Sequence, residues 1–337
     1  MLSKENRQIK AQVTGGRTHV LWNMTDNWSA LLTLSAEETT GEGVWGSDQY
    51  LSDYKVTRFE DESRRDDWQS ASITLVRMPD IDEAHQAFKR GTTFHQAGQL
   101  DEALHWYRKN LEIQPENAAA LRNLGLVLQT QGKLDEAVAT YQRAVSIKPD
   151  FAVAHFNLGN ALIAQGKLDE ALSSFQKAAS IKANFAEAHC NLGNTLIELG
   201  RLDEAVSSYQ RAVSVNPDFA DAHYNLGSAL KEQGKLDEAV SSFQKVISIR
   251  PDIAEAHSNL GSALRELGKL DEALSSFRKA VSIRPDIAEA HCNLGNTLLE
   301  LGKLDEAVSS YEKAISIKPD FVEVQHILNS LLGKTTR

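Results

Sequence analysis

The sequence predicts an all-α solenoid of stacked helix pairs, because three series of residues recur along most of the chain at one constant step. The first series consists of the evenly spaced glycines 125, 159, 193, 227, 261 and 295. A second glycine series, from Gly98 to Gly302, and a proline series from Pro115 to Pro319 recur at the same separation as Gly125 and Gly159, with Ala183 at one proline position. A fixed period of this length is typical of solenoids, in which each unit packs only on its neighbours.

Residues 1–83 differ from the rest, and we predict a small β-containing segment of unassigned fold there. Four of the five tryptophans lie in this segment. Residues 9–13, 18–22, 30–34 and 72–78 are rich in amino acids that favour strands, and Gly15–Gly16 and Gly41–Gly43 are turn signals. No acid–base or nucleophile set is visible in this segment, so we do not expect it to be an enzyme.

Each repeat unit predicts two helices, as residues 186–219 illustrate. Apolar residues at helical spacing, among them Ala188, Leu192 and Leu196, form one stripe of the first helix. Gly200 then ends that helix, and Pro217 ends the second because proline cannot continue a helix interior. The small residues Gly193 and Ala205 are predicted where the two helices cross. Asp218 is predicted to cap the following helix.

Seven such units span residues 84–321, and residues 322–337 are predicted to form a capping helix and a tail. The first unit departs from the pattern, since Arg90 stands where the others have leucine. Atypical ends are expected of a repeat array, because a terminal unit needs a polar outer face. The units begin at Ala84, Ala118, Ala152, Ala186, Ala220, Ala254 and Ala288, and an eighth first helix is predicted over 322–332.

The repeated residues resemble the tetratricopeptide repeat (TPR). The resemblance rests on an aliphatic residue followed by glycine, then a second glycine, an alanine, an aromatic residue, an alanine and a proline at this spacing. It implies a right-handed superhelix whose concave side is lined by positions 2, 6, 9 and 13 of each first helix. Those positions share one face of a helix. The segments Ala-Glu-Ala-His-x-Asn-Leu-Gly are similar to the repeat arm of O-linked N-acetylglucosamine transferases, in which a similar asparagine ladder binds protein substrates.

Position 6 is asparagine in six successive units, although asparagine forms helices poorly. We expect these side chains to face solvent and to bind an extended peptide, because an amide can pair with both the N–H and the C=O of a backbone. The alternative is a structural role, in which the amides bond between adjacent helices. The residues are Asn123, Asn157, Asn191, Asn225, Asn259 and Asn293.

Acidic residues dominate the same face in the four later units, opposed nearby only by Lys231 and Arg265. Those in first turns complement the helix dipole, whereas those near helix C-termini do not, and the latter are predicted to favour basic side chains of a partner. The first-turn group is Glu187, Asp221, Glu255 and Glu289, and the C-terminal group is Glu198, Glu232, Glu266 and Glu300.

Other sites are not expected. Five histidines recur at the same step as the glycines, from His155 to His291, too far apart to share a metal ion, and we expect them to pack between units. Cys190 and Cys292 are separated by three units and are expected to be free thiols of a reducing cytoplasm. No catalytic, cofactor or metal motif is present.

The composition limits the partners. A net charge of −10 without a basic cluster argues against nucleic acid. No apolar run is long enough for a membrane helix, and the polar N-terminus is not a secretory signal. We therefore predict a non-catalytic scaffold for proteins or peptides, with basic ones favoured. The alternative is a substrate-recruiting arm, or a truncated relative, of an O-linked N-acetylglucosamine transferase, whose catalytic half we expect to be absent because only residues 333–337 follow the cap.

Overall fold

The computed structural model describes residues 7–11, 18–24, 28–34, 50–51, 54–61, 71–77 and 81–335. Contacts divide the chain into two units, Met1–Val127 and Leu128–Arg337. The division falls inside a helix of the repeat array.

The first unit contains strands followed by helices. The described strands form two antiparallel sheets, one with the order β1-β6-β5-β4 and one of β2 and β3. Ile9 lies opposite Ile73, and the pairing of β5 with β6 shifts between Val56 and Arg58. The predicted turns at Gly15–Gly16 and Gly41–Gly43 lie outside the described residues. The strands are β1 (Arg7–Ala11), β2 (Thr18–Met24), β3 (Trp28–Leu34), β4 (Tyr50–Leu51), β5 (Tyr54–Asp61) and β6 (Ala71–Arg77).

Helices occupy the rest of the chain in tandem antiparallel pairs, which confirms the predicted all-α repeat architecture. The first helix starts ahead of Ala84, the predicted beginning of the first unit. The first three are α1 (Ile81–Gln96), α2 (Leu100–Ile113) and α3 (Ala118–Thr130). The others are α4 (Leu134–Ile147), α5 (Ala152–Ala164), α6 (Leu168–Ile181), α7 (Ala186–Glu198), α8 (Leu202–Val215), α9 (Ala220–Glu232), α10 (Leu236–Ile249), α11 (Ala254–Glu266), α12 (Leu270–Ile283), α13 (Ala288–Glu300), α14 (Leu304–Ile317) and α15 (Val322–Thr335).

The two glycine series have different physical roles. Gly200 follows α7 with a φ of 71°, a conformation that favours glycine, so its predicted role in ending the helix is confirmed. Gly193 lies inside α7, and a Cβ added there would be 2.5 Å from Cε1 of Tyr209. Only glycine therefore lets the ring of α8 pack directly on the backbone of α7.

The predicted cap at Asp218 is wrong. Helix α9 begins at Ala220, its N-cap residue is Phe219, and no side chain accepts a capping hydrogen bond. Asp218 is one residue too far from the helix and pairs with Lys245 instead, at 3.0 Å. Asn117 shows the contrast, because it immediately precedes α3 and its Oδ1 accepts from the backbone N–H of Ala120 at 3.1 Å.

The core of the second unit runs continuously along the array. Consecutive helices from α4 to α15 pack together, and α11 also contacts the first helices α9 and α13. A single cluster of buried apolar residues extends from Leu172 to Val324 and includes Tyr209, Phe243 and Phe277. Since each repeat from α7 onwards contributes to it, none of these repeats buries its apolar surface alone.

Candidate functional site

Positions 2, 6, 9 and 13 of the first helices define what we call the asparagine face. Within the second unit it is carried by α5, α7, α9, α11 and α13. The expectation that all six position-6 asparagines face solvent is wrong for two of them. Asn123, in the first unit, is 9% exposed, and Asn157 is 8% exposed. Asn191, Asn225, Asn259 and Asn293 are half-buried.

Hydrogen bonds link the asparagines of successive units. Nδ2 of Asn191 donates to Oδ1 of Asn160 at 2.8 Å, and Nδ2 of Asn225 donates to Oδ1 of Asn194 at 2.9 Å. Nδ2 of Asn225 also lies 4.0 Å from Sγ of Cys190, a weak acceptor. The inter-helix bonding that the sequence left as an alternative is therefore present. Within the described part of the chain, no hydrogen bond reaches Oδ1 of Asn191 or Asn225.

Later units vary this arrangement because position 9 changes. Asn259 donates from Nδ2 to the Tyr224 hydroxyl at 2.9 Å. Burial raises the pKa of Tyr224, so the hydroxyl stays protonated at neutral pH. The side chain of Asn293 makes no hydrogen bond to any residue that the structure describes. The amide row is thus tied to its neighbours at α7, α9 and α11, and is unpaired at α13.

The acids of this face are more neutralised than the sequence suggested. Lys231 pairs with Glu266 at 3.6 Å, and Arg265 pairs with Glu300 at 3.9 Å, each across neighbouring units. Three further bases, not expected from the sequence, pair with position-2 acids. These pairs could have been predicted from the sequence, because a base follows each acid at the same separation. Each base lies in the turn before the next unit. These pairs are Arg250 with Asp221, Arg284 with Glu255, and Lys318 with Glu289.

Three acids of the face have no basic partner among the described residues: Glu187, Glu198 and Glu232. The positions at which other units carry a base hold uncharged residues here. Asn216 follows Glu187 at the position that Arg250 occupies after Asp221. Similarly, Ile163 and Ile197 occupy the position of Lys231 in their own units. Across α5 to α13, the unpaired charge of the asparagine face is therefore on α7 and α9.

Family models match nearly all of the helical region. A model described as tetratricopeptide repeat matches residues 83–150, 218–286 and 252–320, which is more than half of the chain. A second model with that description matches 140–173, and a model described as TPR repeat matches 159–200 and 193–234.

The chain belongs to the tetratricopeptide repeat family.

Solved structures share this fold. YrrB, described as a TPR protein with an unusual peptide-binding site, is 29% identical over 55% of this chain and 95% of its own, with a TM-score of 0.51. PilF of Pseudomonas aeruginosa is 20% identical over 63% of this chain and 97% of its own, with a TM-score of 0.53. A TPR protein of Parabacteroides merdae is 21% identical, with coverages of 74% and 99% and a TM-score of 0.51. A search of curated proteins found no match.

The recurrent histidines of the TPR units are held by a backbone contact. Nε2 of His155 lies 3.0 Å from the carbonyl oxygen of Pro149, in the turn that precedes its helix. His189, His223, His257 and His291 repeat this contact with the carbonyl six residues earlier. The ring thus fastens each first helix to the turn from the preceding unit, consistent with the expected packing role. Within the described residues no group of side chains could hold a metal ion.

The two cysteines of the TPR array are free thiols with raised pKa values. Cys190 is buried and Cys292 half-buried, both as free thiols. Burial raises the pKa of Cys190 to about 11 and also raises that of Cys292, so neither is a thiolate at neutral pH.

The described part of the chain has no helix with the length and apolar character needed to cross a bilayer.

Proposed function

We propose that this TPR scaffold binds extended peptide segments of partner proteins along the asparagine face. The chain is a repeat scaffold of a family that binds proteins, and no catalytic domain is evident in the residues that the structure describes. The observation that carries the proposal is the row of amides at Asn191, Asn225 and Asn259. Each is held by a bond to the preceding unit, yet its Oδ1 and its second N–H are bonded to no oxygen or nitrogen of the described residues.

Held amides are better ligands than mobile ones. Ordering a flexible side chain at an interface costs about 0.5–1.5 kcal/mol, and the bonds between units have already met much of that cost. An extended backbone presents one N–H and one C=O per residue, which match the Oδ1 and the remaining N–H of each amide. Binding through the backbone accepts many side chains, as in other modes of extended-peptide recognition.

The similarity to YrrB supports the proposal, because that TPR protein is described by its peptide-binding site. The four acids near the C-termini of the first helices contribute unequally to the attraction of basic side chains. Glu266 and Glu300 are paired with bases of neighbouring units, so they attract basic side chains less than Glu198 and Glu232 do. The buried Asn123 and Asn157 are also less accessible to a ligand than the four later asparagines.

The proposed relation to an O-linked N-acetylglucosamine transferase stays a prediction. The family models and similar structures identify TPR units in general. Titration with the sugar nucleotide tests only for a transferase half, since that half binds the donor, whereas a substrate-recruiting arm is expected to co-purify with a transferase.

The test is binding of a partner peptide to a variant that lacks the accessible amides. The change is Asn191→Ala with Asn225→Ala, Asn259→Ala and Asn293→Ala, and the control is Asn184→Ala with Asn329→Ala, both exposed and off the face. Each neutral contact contributes about 1 kcal/mol, so calorimetry with a peptide obtained by pull-down should show loss of at least about a hundredfold in affinity. A folded four-site variant that binds like the control contradicts the proposal.

A further inference from the structure

The asparagine face is not uniform along the array, and one part of it differs in charge. In α11 and α13 every acid of the face is paired with a base. In α7 and α9 only Asp221 is paired, and Glu187, Glu198 and Glu232 have no basic partner in the described part of the chain. A cationic ligand therefore gains most beside Glu187, Glu198 and Glu232, where it replaces no internal ion pair.

Apolar side chains occupy face positions of the preceding units where other units carry charged residues. Val153 and Ile163 of α5 are half-buried, and Ile197 of α7 is 37% exposed. Phe156, also on α5, packs against Phe185 with ring centroids 4.9 Å apart. An aromatic at position 5 that stacks in this way makes a firm apolar surface rather than a mobile side chain.

A second observation at α5 points to a missing ligand. Asn157 is more than nine-tenths buried on the asparagine face, and its Nδ2 has no hydrogen-bond partner in the structure. Buried donors without a partner are exceptions in folded proteins. The equivalent Nδ2 atoms of Asn191 and Asn225 each donate a hydrogen bond to the preceding unit. Because this donor is buried, a carbonyl group of a bound peptide can accept from it only when the Asn157 side chain turns towards the face.

We propose that α5, α7 and α9 form the docking surface for one class of ligand, an extended segment of a partner protein that carries an apolar side chain and, about one and two TPR units further along, lysine or arginine. The apolar side chain lies on Val153, Phe156 and Ile163. Basic side chains lie by Glu187 and Glu198 and then by Glu232. This inference rests on the proposed function and names the place and the ligand.

The spacing of the ligand follows from two lengths. Neighbouring helices pack about 8–10 Å apart, and an extended chain advances about 3.3 Å per residue. One TPR unit therefore spans about three residues of the ligand. The expected pattern is an apolar residue with basic residues about three and six positions away, in one chain direction or the other.

The test is selection from a random decapeptide library displayed on phage, with the full chain as bait. Selected peptides are then measured by fluorescence polarisation. We expect enrichment of an apolar residue with lysine or arginine at the stated spacing, and affinity that falls as salt rises, since the carboxylates are exposed.

Two matched pairs of variants locate the site. Glu187→Gln with Glu198→Gln and Glu232→Gln should weaken the selected peptides about tenfold, since exposed pairs each contribute modestly. Asp221→Asn with Glu255→Gln and Glu289→Gln removes as many charges from paired acids and should change affinity less than about threefold. Ile163→Ser should weaken binding, whereas Leu299→Ser, at the equivalent position of α13, should not.

The outcomes separate this inference from the proposed function. Enrichment of neutral or acidic peptides, or equal loss in the two charge variants, overturns the inference while the four-asparagine variant still tests peptide binding itself. A selection that enriches nothing overturns both. Peptides that bind that four-asparagine variant as well as the native chain overturn the proposed function, even if the charge variants behave as expected.

Discussion

At the scale of single residues, the histidine contacts predict how stability depends on pH. Burial lowers the pKa of His155, His189 and His223, with smaller lowering by Lys177, Arg211 and Lys245 respectively, while the bonded carbonyl partly opposes the shift. Asp218 also acts to raise that of His223. The unfolded chain then binds more protons below the ordinary histidine pKa of about 6.5. Their contribution is complete above that pH and is lost as the pH falls towards the folded pKa values.

Glutamine in place of these histidines should remove that pH dependence and keep the contact. Gln325 occupies the same position in α15 and donates from Nε2 to the carbonyl oxygen of Pro319. The triple variant His155→Gln, His189→Gln and His223→Gln should unfold in urea at pH 7.5 within about 1 kcal/mol of the native chain. Between about pH 6.5 and 5 its free energy of unfolding should fall less steeply. The exposed His85→Gln is the control, and equal slopes would refute the account.

A glycine packed beneath a ring gives a second prediction at this scale. A Cβ at Gly193 would lie 2.5 Å from Tyr209, whereas one at Gly227 would lie 2.9 Å from Phe243. Overpacking costs about 1–3 kcal/mol, and alanine returns about 1 kcal/mol of helix propensity. We expect Gly193→Ala to lower the free energy of unfolding by about 1–2 kcal/mol and Gly227→Ala by less. Chemical denaturation of both variants checks the order, and the reverse order would contradict it.

At the scale of elements, a turn residue caps a helix only when it stands immediately before the first helical residue. Asn117 caps α3 from the position just before it, whereas Asp218 does not cap α9. We expect Asn117→Ala to cost about 1 kcal/mol or more, because its Nδ2 also donates to Asn110. Asp218→Ala should cost under about 1 kcal/mol, the usual contribution of an exposed pair. Melting temperatures of the two variants check this prediction. A larger drop for Asp218→Ala than for Asn117→Ala would mean that Asp218 does cap α9.

The elements themselves were largely predictable from local chemistry. Helix α7 begins at Ala186, the residue that opens the predicted unit, and α8 ends at Val215 just before Pro217. The repeat period, the glycines and the prolines determine helix ends within a few residues of their own positions. The bounds of the helices can therefore be predicted directly from the sequence. The misplaced cap at Asp218 arose because one residue of turn geometry decides which side chain reaches the helix N-terminus.

At the scale of the whole molecule, the candidate site was less predictable than the fold. The face of the helix and its asparagines follow from spacing, but the partners of those side chains lie about one whole unit away in the sequence. Whether Glu255 is neutralised by Arg284, or Asn157 is buried, depends on how units stack. The peptide-binding role of the asparagines and acids named from the sequence therefore stays a prediction for experiment.

The array as a whole should behave as a chain of nearest neighbours. Consecutive helices from α4 to α15 pack together, and one hydrophobic cluster continues from each TPR unit to the next. Stability is then a sum of unit and interface contributions, and it rises with the number of units. Deletion of residues 220–253 joins Phe219 to Ala254, a junction equivalent to the native one between Ile253 and Ala254.

We therefore expect the deletion protein to be folded, with the helical circular dichroism of its remaining units and a lower melting temperature than the native chain. A deletion of the same length with different end points, residues 229–262, joins α9 to α11 in mid-helix. Because both helices are at the same unit position there, the repeat phase is kept and this variant should match the first. Cooperative loss of all helix in either variant would show that the units fold as one indivisible core, contrary to nearest-neighbour stacking.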